Sequence, residues 1–289
     1  MTFDPANASS IVKAVLTAAG AAYAVYGIRL FLRQNAIVFK ASRTFSGDPG
    51  SLGLEFDDIF LETARGTLVH GWWIPGQPGS SLVLFFSGSI GNLGSELETF
   101  AFLASLGATV MAIDYPGFGK SGGRPSEAGC YRSAEAAWDF VVRVKGVRPQ
   151  NIILFGRSVG VAVAAWLGAR YPCAGLICHS GLTSIPDVAA ERYRFVPARW
   201  FCYIRFDTLR SIAACRSPAL VMHSPSDRVI AVRHSIRIFE KAPSPKRFIP
   251  LIGDHYSNEW QATPGLRDAL QPMLECSSNN VICDQGYAL

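Results

Sequence analysis

Short apolar runs alternate with longer amphipathic stretches along most of this chain, and that alternation predicts its architecture. Residues 81–87 (Ser-Leu-Val-Leu-Phe-Phe-Ser), Thr109–Ile113, Ile152–Phe155, Gly175–Cys178, Ala219–Met222 and Phe248–Ile252 are runs of four to seven mainly aliphatic and aromatic residues. Runs this short, apolar throughout and bounded by turn residues, read as strands buried on both faces. Helical spacing fills the intervals near 95–106, near 128–144 and directly after Ser158. An opening pair of strands, Asp58–Glu62 and Leu68–Ile74, ends at Pro75-Gly-Gln-Pro-Gly79. Strand and helix in alternation predict an α/β fold: a mostly parallel central sheet of about eight strands with helices on both faces.

The N-terminus breaks this pattern. Ala14–Ile28 carries no charge, and Ile11–Leu32 is 22 residues long with only Lys13 and Arg29 charged, both near an end. Such a segment crosses a bilayer core if those two side chains snorkel to the interfaces. A single-pass anchor is therefore expected, beside three alternatives: an interfacial helix, a buried helix, or a signal peptide cleaved at Ala22-Tyr23-Ala24. Arg29, Arg33, Lys40 and Arg43 in and after the segment, against Asp4 and Lys13 before or within it, favour a cytoplasmic folded domain. Phe45–Phe56, with Gly47, Pro49, Gly50 and Gly53, reads as a linker. The expected organisation is an anchor segment with its flank at 1–44, one domain at 45–275 and a polar tail at 276–289.

Composition narrows the possible partners. Hydrophobic residues make up 49% and charged residues 17% of the 289, high and low respectively for a soluble domain, in keeping with an apolar addition. A net charge of +5 suits contact with anionic lipid and is too mild to suggest nucleic acid. Seven cysteines are scattered without C-x-x-C or other metal spacing, which predicts a reducing compartment and no metal site. Neither a phosphate-binding G-x-x-x-x-G-K nor a dinucleotide fingerprint is present, so no cofactor is expected.

Candidate chemistry centres on Gly156-Arg-Ser158-Val-Gly160. The serine lies between two glycines at the junction of an apolar run and a helix-forming segment, Val161–Arg170. In that setting G-x-S-x-G marks a sharp turn that lifts the serine hydroxyl above a sheet, with glycines where side chains would collide. A serine needs a base to take its proton and an acid to orient that base. Asp227 follows the run Pro218–His223, and His255 follows Arg247–Ile252, so Ser158, Asp227 and His255 each lie just past a predicted strand. In a parallel sheet those ends are neighbours. Val159 N–H is one expected oxyanion donor. Ser89 N–H is the first choice for the second, from the loop Gly88-Ser-Ile-Gly-Asn92, with Ile90 next.

These motifs resemble those of the α/β-hydrolase superfamily from about Asp58 to about Leu274. Gly-Arg-Ser-Val-Gly resembles its nucleophile elbow. Ser87-Gly88-Ser89 resembles the His-Gly-x oxyanion loop, with serine where histidine is usual. Asp114-Tyr-Pro-Gly-Phe-Gly-Lys-Ser121 resembles the loop after the following strand, and His223-Ser-Pro-Ser-Asp227 the His-Gly-x-x-Asp acid loop, with Ser224 in the glycine position. With the apolar N-terminus, the layout is nearest the small membrane-anchored serine hydrolases, a group that includes protein depalmitoylases. The resemblance implies an esterase or thioesterase acting on a small-molecule or lipid-like acyl substrate through an acyl-enzyme. A peptidase of the same fold, or an inactive binding relative, are the alternatives.

Other polar residues are given structural roles. Asp114 is expected to satisfy loop N–H groups, His70 and His179 to be satisfied core or strand-end histidines, and His223 to be strand-terminal. His234 is expected to be exposed, and Asp254 to serve a turn. Asp187 is the rival to Asp227 as triad acid. Residues 180–217 are expected to form a short cap after the sixth strand. Its segment Glu191–Arg205 interleaves aromatics with arginines, suited to a membrane surface, an acyl chain or simple packing on the domain.

Overall fold

A computed structural model describes residues 5–275, with side chains from residue 9 onward; the expected polar tail lies outside the described residues. The eight expected strands form one sheet: β1 (Asp57–Glu62), β2 (Leu68–Ile74), β3 (Leu82–Phe86), β4 (Thr109–Ile113), β5 (Ile152–Arg157), β6 (Gly175–His179), β7 (Ala219–His223) and β8 (Lys246–Pro250). Their spatial order is β1-β2-β4-β3-β5-β6-β7-β8. β2 runs antiparallel to both β1 and β4, and every other neighbouring pair is parallel.

Side chains along each strand alternate between two cores, as the two-residue period of a pleated strand requires. Leu82, Leu84 and Phe86 of β3 face one core, while Val83 and Phe85 face the other. The chain begins with α1 (Pro5–Leu32) and α2 (Gln34–Val38). Thereafter α3 (Leu97–Ser105) covers one face. α4 (Glu127–Asp139), which continues as a π-helical turn over Phe140–Val144, and α5 (Gly160–Gly168) cover the other. α5 is apolar on all sides and almost wholly buried, as expected of a helix sealed under others.

The stretch after β6 divides in two. α6 (Ile185–Arg192) and α7 (Ala198–Phe201) touch the core at its edge, through Ile185 and Val188 of α6 and with Ala198 buried, whereas α8 (Thr208–Ala214) buries Ile212 beside α5. Within the stretch 180–217 expected to form a cap, α8 packs against α5 in the domain's helical layer. α9 (Arg233–Lys241) follows the acid loop and α10 (Leu266–Leu274) closes the face that α3 shares.

The expected linker is packed rather than free. Phe45 and Phe56 lie against the buried Trp72, with ring centroids 5.4 and 5.9 Å apart, and Pro49–Leu52 is a 3₁₀ turn. Aromatic burial outweighs the glycines and proline that mark the segment as a loop. α1, by contrast, has little protein around it. Its segment Ser9–Leu32, 24 residues, is long and apolar enough to cross a membrane, and none of its most apolar stretch is buried.

Candidate active site

β5 ends at Arg157 and α5 begins at Gly160, leaving Ser158 and Val159 as the turn. Ser158 has φ +55°, a left-handed conformation that costs a non-glycine residue about 1–3 kcal/mol. Its neighbours enforce it. A Cβ on Gly160 would sit 2.0 Å from the Phe86 carbonyl oxygen, and one on Gly156 would sit 2.4 Å from the Gly160 oxygen. Strand and helix therefore approach too closely for anything but glycine. Ser158 N–H donates to the His179 carbonyl at 2.8 Å, which extends the β5–β6 pairing by one step to the turn itself. Val159 has helical backbone angles at the N-terminus of α5, where first-turn N–H groups lack intrahelical partners.

Asp227 and His255 are brought together by β7 and β8, whose ends align at His223 and Pro250. His255 Nδ1 lies 2.6 Å from Asp227 Oδ2. Because a carboxylate only accepts, Nδ1 carries the proton and Nε2 is the nitrogen left for proton transfer. Asp227 is 7% and His255 6% exposed. The other carboxylate oxygen accepts from the N–H groups of Val229 and Ile230, at 2.8 and 2.9 Å. Those bonds hold Val229–Val232 as a capping turn, and α9 starts only at Arg233.

A second histidine supports the acid. His223 Nε2 lies between two acceptors, the Ile230 carbonyl at 2.9 Å and Asp227 Oδ2 at 3.0 Å, so it too is a donor. Its Nδ1 meets the Ser235 hydroxyl at 2.7 Å. Burial alone would raise the Asp227 pKa. The hydrogen bonds from His223 and His255 and the His255 charge outweigh it and hold the carboxyl well below the usual carboxylate range. The sequence marks His223 only as strand-terminal; its position four residues before Asp227, on the same turn, is the signal for this role.

The loop after β3 approaches the turn from the other side. A Cβ on Gly88 would lie 3.5 Å from Ser158 Cβ, so the Gly88-Ser89 backbone faces the serine across ordinary contact distance. Tyr115 Oη donates to the Ser87 carbonyl at 3.2 Å, and Lys40 N–H donates to the Ser89 carbonyl at 2.8 Å. The second bond belongs to a two-stranded ladder of Lys40–Ala41 with Ile90–Gly91. The residues leaving α2 thus brace the loop that carries the expected oxyanion donor, a connection no sequence motif announces.

Both departures from the family motifs have structural counterparts. Ser87 sits buried, its carbonyl fixed by Tyr115. The Ser224 hydroxyl donates to the Gly253 carbonyl and accepts from Ser226 N–H, tying the acid loop to the histidine loop as glycine could not.

Arg157 adds a third link. Its guanidinium pairs with Glu96 at 2.6 Å and donates to the His255 carbonyl at 3.0 Å, fixing the histidine loop to the strand that ends in Ser158. Both side chains of the pair are about nine-tenths buried. Sequence reading passes over both residues, because each looks like an ordinary surface charge.

The remaining polar residues divide. Asp114 accepts Leu93 N–H at 3.0 Å, and His70 lies between Asp114 and Asp58, the satisfied roles expected of them. Asp254 accepts from the Tyr256 and Ser257 N–H groups, a turn role. His179 departs from expectation: its Nδ1 is buried with no hydrogen-bond partner among the described residues, and its ring packs on Trp260 with centroids 4.7 Å apart. Burial, reinforced by Arg157, pushes its pKa well below the usual histidine value. His234 is buried rather than exposed, bonded to Thr183 Oγ1 at 2.8 Å and Glu191 at 3.2 Å, because α9 turns that face under the cap. Asp187, on α6, pairs instead with Thr183, Arg199 and Arg237.

Comparison with known proteins supports the fold and the family. The family model described as serine aminopeptidase, S33, matches residues 77–206, from the loop before β3 to the end of the cap. An uncharacterized protein of Mycobacterium tuberculosis is 34% identical over 198 residues, 68% of this chain and 70% of the relative. Alpha/beta hydrolase domain-containing protein 17C of Homo sapiens is 34% identical over 187 residues, 64% of this chain but only 56% of that protein's length. Among solved structures, an esterase of Pyrococcus furiosus superposes with a TM-score of 0.66 at 17% identity, covering 81% of this chain and 97% of the esterase. An alpha-beta hydrolase of Vibrio vulnificus gives a TM-score of 0.68 at 19% identity, covering 81% and 89% of the two chains. At those identities the superpositions establish the fold alone. Fold, elbow and sequence relatives together make this chain a member of the α/β-hydrolase superfamily.

Proposed function

We propose that this protein is a membrane-associated serine hydrolase that cleaves a carboxylic ester or thioester through an acyl-enzyme, with Ser158 as nucleophile, His255 as base and Asp227 as orienting acid. The observation that carries the reading is the 2.6 Å contact of His255 Nδ1 with Asp227, and the serine held at φ +55° at the end of β5 supports it. Both features have a structural cost, and a catalytic triad would account for both.

The steps follow from the roles. Ser158 Oγ attacks the acyl carbonyl as its proton passes to His255 Nε2, and Asp227 stabilises the imidazolium. The tetrahedral oxyanion is received by the N–H groups of Val159 and Ser89. On collapse the bond to the leaving oxygen or sulfur breaks, His255 returns the proton to that atom, and the acyl group stays on Ser158. Water, deprotonated by His255, then releases the acid and restores the hydroxyl.

The membrane part of the proposal rests on α1, whose apolar length suits a single N-terminal anchor at about residues 11–32. The excess of basic residues at and after its C-terminal end favours a cytoplasmic catalytic domain. Residues 45–275 then act as the catalytic unit.

A second reading is kept by the serine aminopeptidase description of the matching family model. Purified full-length protein assayed on p-nitrophenyl esters, an S-acyl thioester and aminoacyl p-nitroanilides separates the two. Ester or thioester turnover lost in Ser158→Ala supports the proposal. Turnover confined to the anilides would replace it with a peptidase.

A further inference from the structure

Between α1 and the cap lies a pocket of roughly 510 Å³, counting its open mouth, with an almost wholly apolar lining. Gly27, Phe31 and Val38 form one wall; Ala189, Tyr193 and Val196 form the other. Ser158, Asp227 and His255 do not line it. We infer that this pocket receives the fatty acyl chain of an ester resident in the bilayer, drawn sideways from the leaflet in which α1 stands. The inference rests on the membrane-associated hydrolase reading above.

Three observations converge on that occupant. The first is depth. The Tyr23 hydroxyl donates to the Phe195 carbonyl of the cap, and Tyr23 stands nine residues before the end of α1. At 1.5 Å per residue that is about 13 Å along the helix. A cap that meets a spanning helix this far from its end reaches into the hydrocarbon of the near leaflet, itself about 15 Å deep. Further along, Gln34 grips the cap through the Phe201 carbonyl at 2.9 Å and Tyr203 N–H at 3.0 Å, so cap and helix form one body.

The second is the cap's outer surface. Phe195 and Trp200 are each 89% exposed, and Phe201 and Tyr203 about half exposed. In water this exposure carries a cost, but in a leaflet it is the ordinary state of an interfacial segment.

The third is continuity with the chemistry. Val38 on the pocket wall is two residues from Lys40, whose N–H holds the Ser89 carbonyl. A chain seated in the pocket therefore lies against the segment that braces the oxyanion loop.

The pocket is tested by filling it from each wall in full-length protein reconstituted into phospholipid nanodiscs. Gly27→Leu is open to a side chain, since a Cβ there meets nothing within 4 Å, and Ala189→Trp fills from the cap. Each variant is expected to lose about tenfold in kcat/KM on sixteen-carbon p-nitrophenyl esters while keeping wild-type rates on four-carbon esters. A sixteen-carbon fatty acid bearing a diazirine should crosslink to α1 and α6 peptides in the wild type, and to neither in the variants. This second readout needs no catalysis, so it holds even if Ser158 proves inert. Unchanged chain-length profiles in both variants, or crosslinks that map elsewhere, would overturn the inference while leaving the triad intact.

Discussion

Lys40 N–H donates to the Ser89 carbonyl at 2.8 Å, joining the chain just after the N-terminal helices to the loop opposite Ser158. The bond fixes the peptide plane that precedes Ile90 and the orientation of Ser89 within its loop. In an oxyanion site, donor placement within a few tenths of an ångström decides how much a donor contributes.

Lys40→Pro removes this donor. The preceding Phe39 has φ −102° and ψ 112°, values that proline's neighbour adopts readily. Ester kcat should fall about tenfold, equivalent to one hydrogen bond of about 1.4 kcal/mol, with KM and the circular dichroism spectrum unchanged.

Asp227 is the proposed acid because it is the carboxylate in contact with His255. Asp227→Asn should lower kcat by roughly 10⁴-fold, the effect of a wrong imidazole tautomer. Asp187→Asn should leave kcat near the wild-type value, since Asp187 serves Thr183 and two arginines. His223→Phe removes one donor from Asp227 and should cost roughly 10- to 100-fold in kcat, the range of a charge-assisted hydrogen bond. Steady-state kinetics on one short ester ranks all three variants.

Arg157 combines stability with alignment. Glu96→Gln leaves a buried guanidinium without its counter-charge, a loss of about 3–5 kcal/mol visible in denaturant unfolding. Adding Arg157→Met should restore part of that stability. Activity should not recover, because the His255 carbonyl has lost the donor that links it to the Ser158 strand.

Acid sensitivity should have two stages. His179 stays neutral in the folded chain well below the ordinary histidine value of about 6.5, while the unfolded chain takes up a proton there. The unfolded state then binds more protons, so stability is complete above about pH 6.5 and falls as the pH drops below it. His234, lowered by burial, acts in the same direction. Asp227 contributes a later loss, in and below the carboxylate range. Melting temperatures measured down from neutral pH should decline less steeply in His179→Phe through the upper stage only.

The strands were legible because buried strands leave short apolar runs: Thr109–Ile113 and Leu68–Ile74 coincide with the observed elements. The elbow was legible because backbone crowding at Gly156 and Gly160 admits no other residue. What stayed hidden depends on long-range pairing. Lys40 and Ser89 are distant in sequence, the Glu96–Arg157 pair is buried only by the assembled sheet, and His234 is covered by a cap whose packing no local period encodes. Phe45 and Phe56 show the same limit, since glycines and a proline mark a loop but do not reveal that it packs on Trp72.

The central claim is that Ser158 is an activated nucleophile. Full-length protein treated with a fluorophosphonate, beside Ser158→Ala and His255→Ala, and followed by peptide mass mapping, tests it directly. The account predicts one adduct per chain, on the peptide holding Ser158, absent from the first variant and strongly slowed in the second. A folded wild-type protein that takes no label, or takes it on another serine, would contradict it.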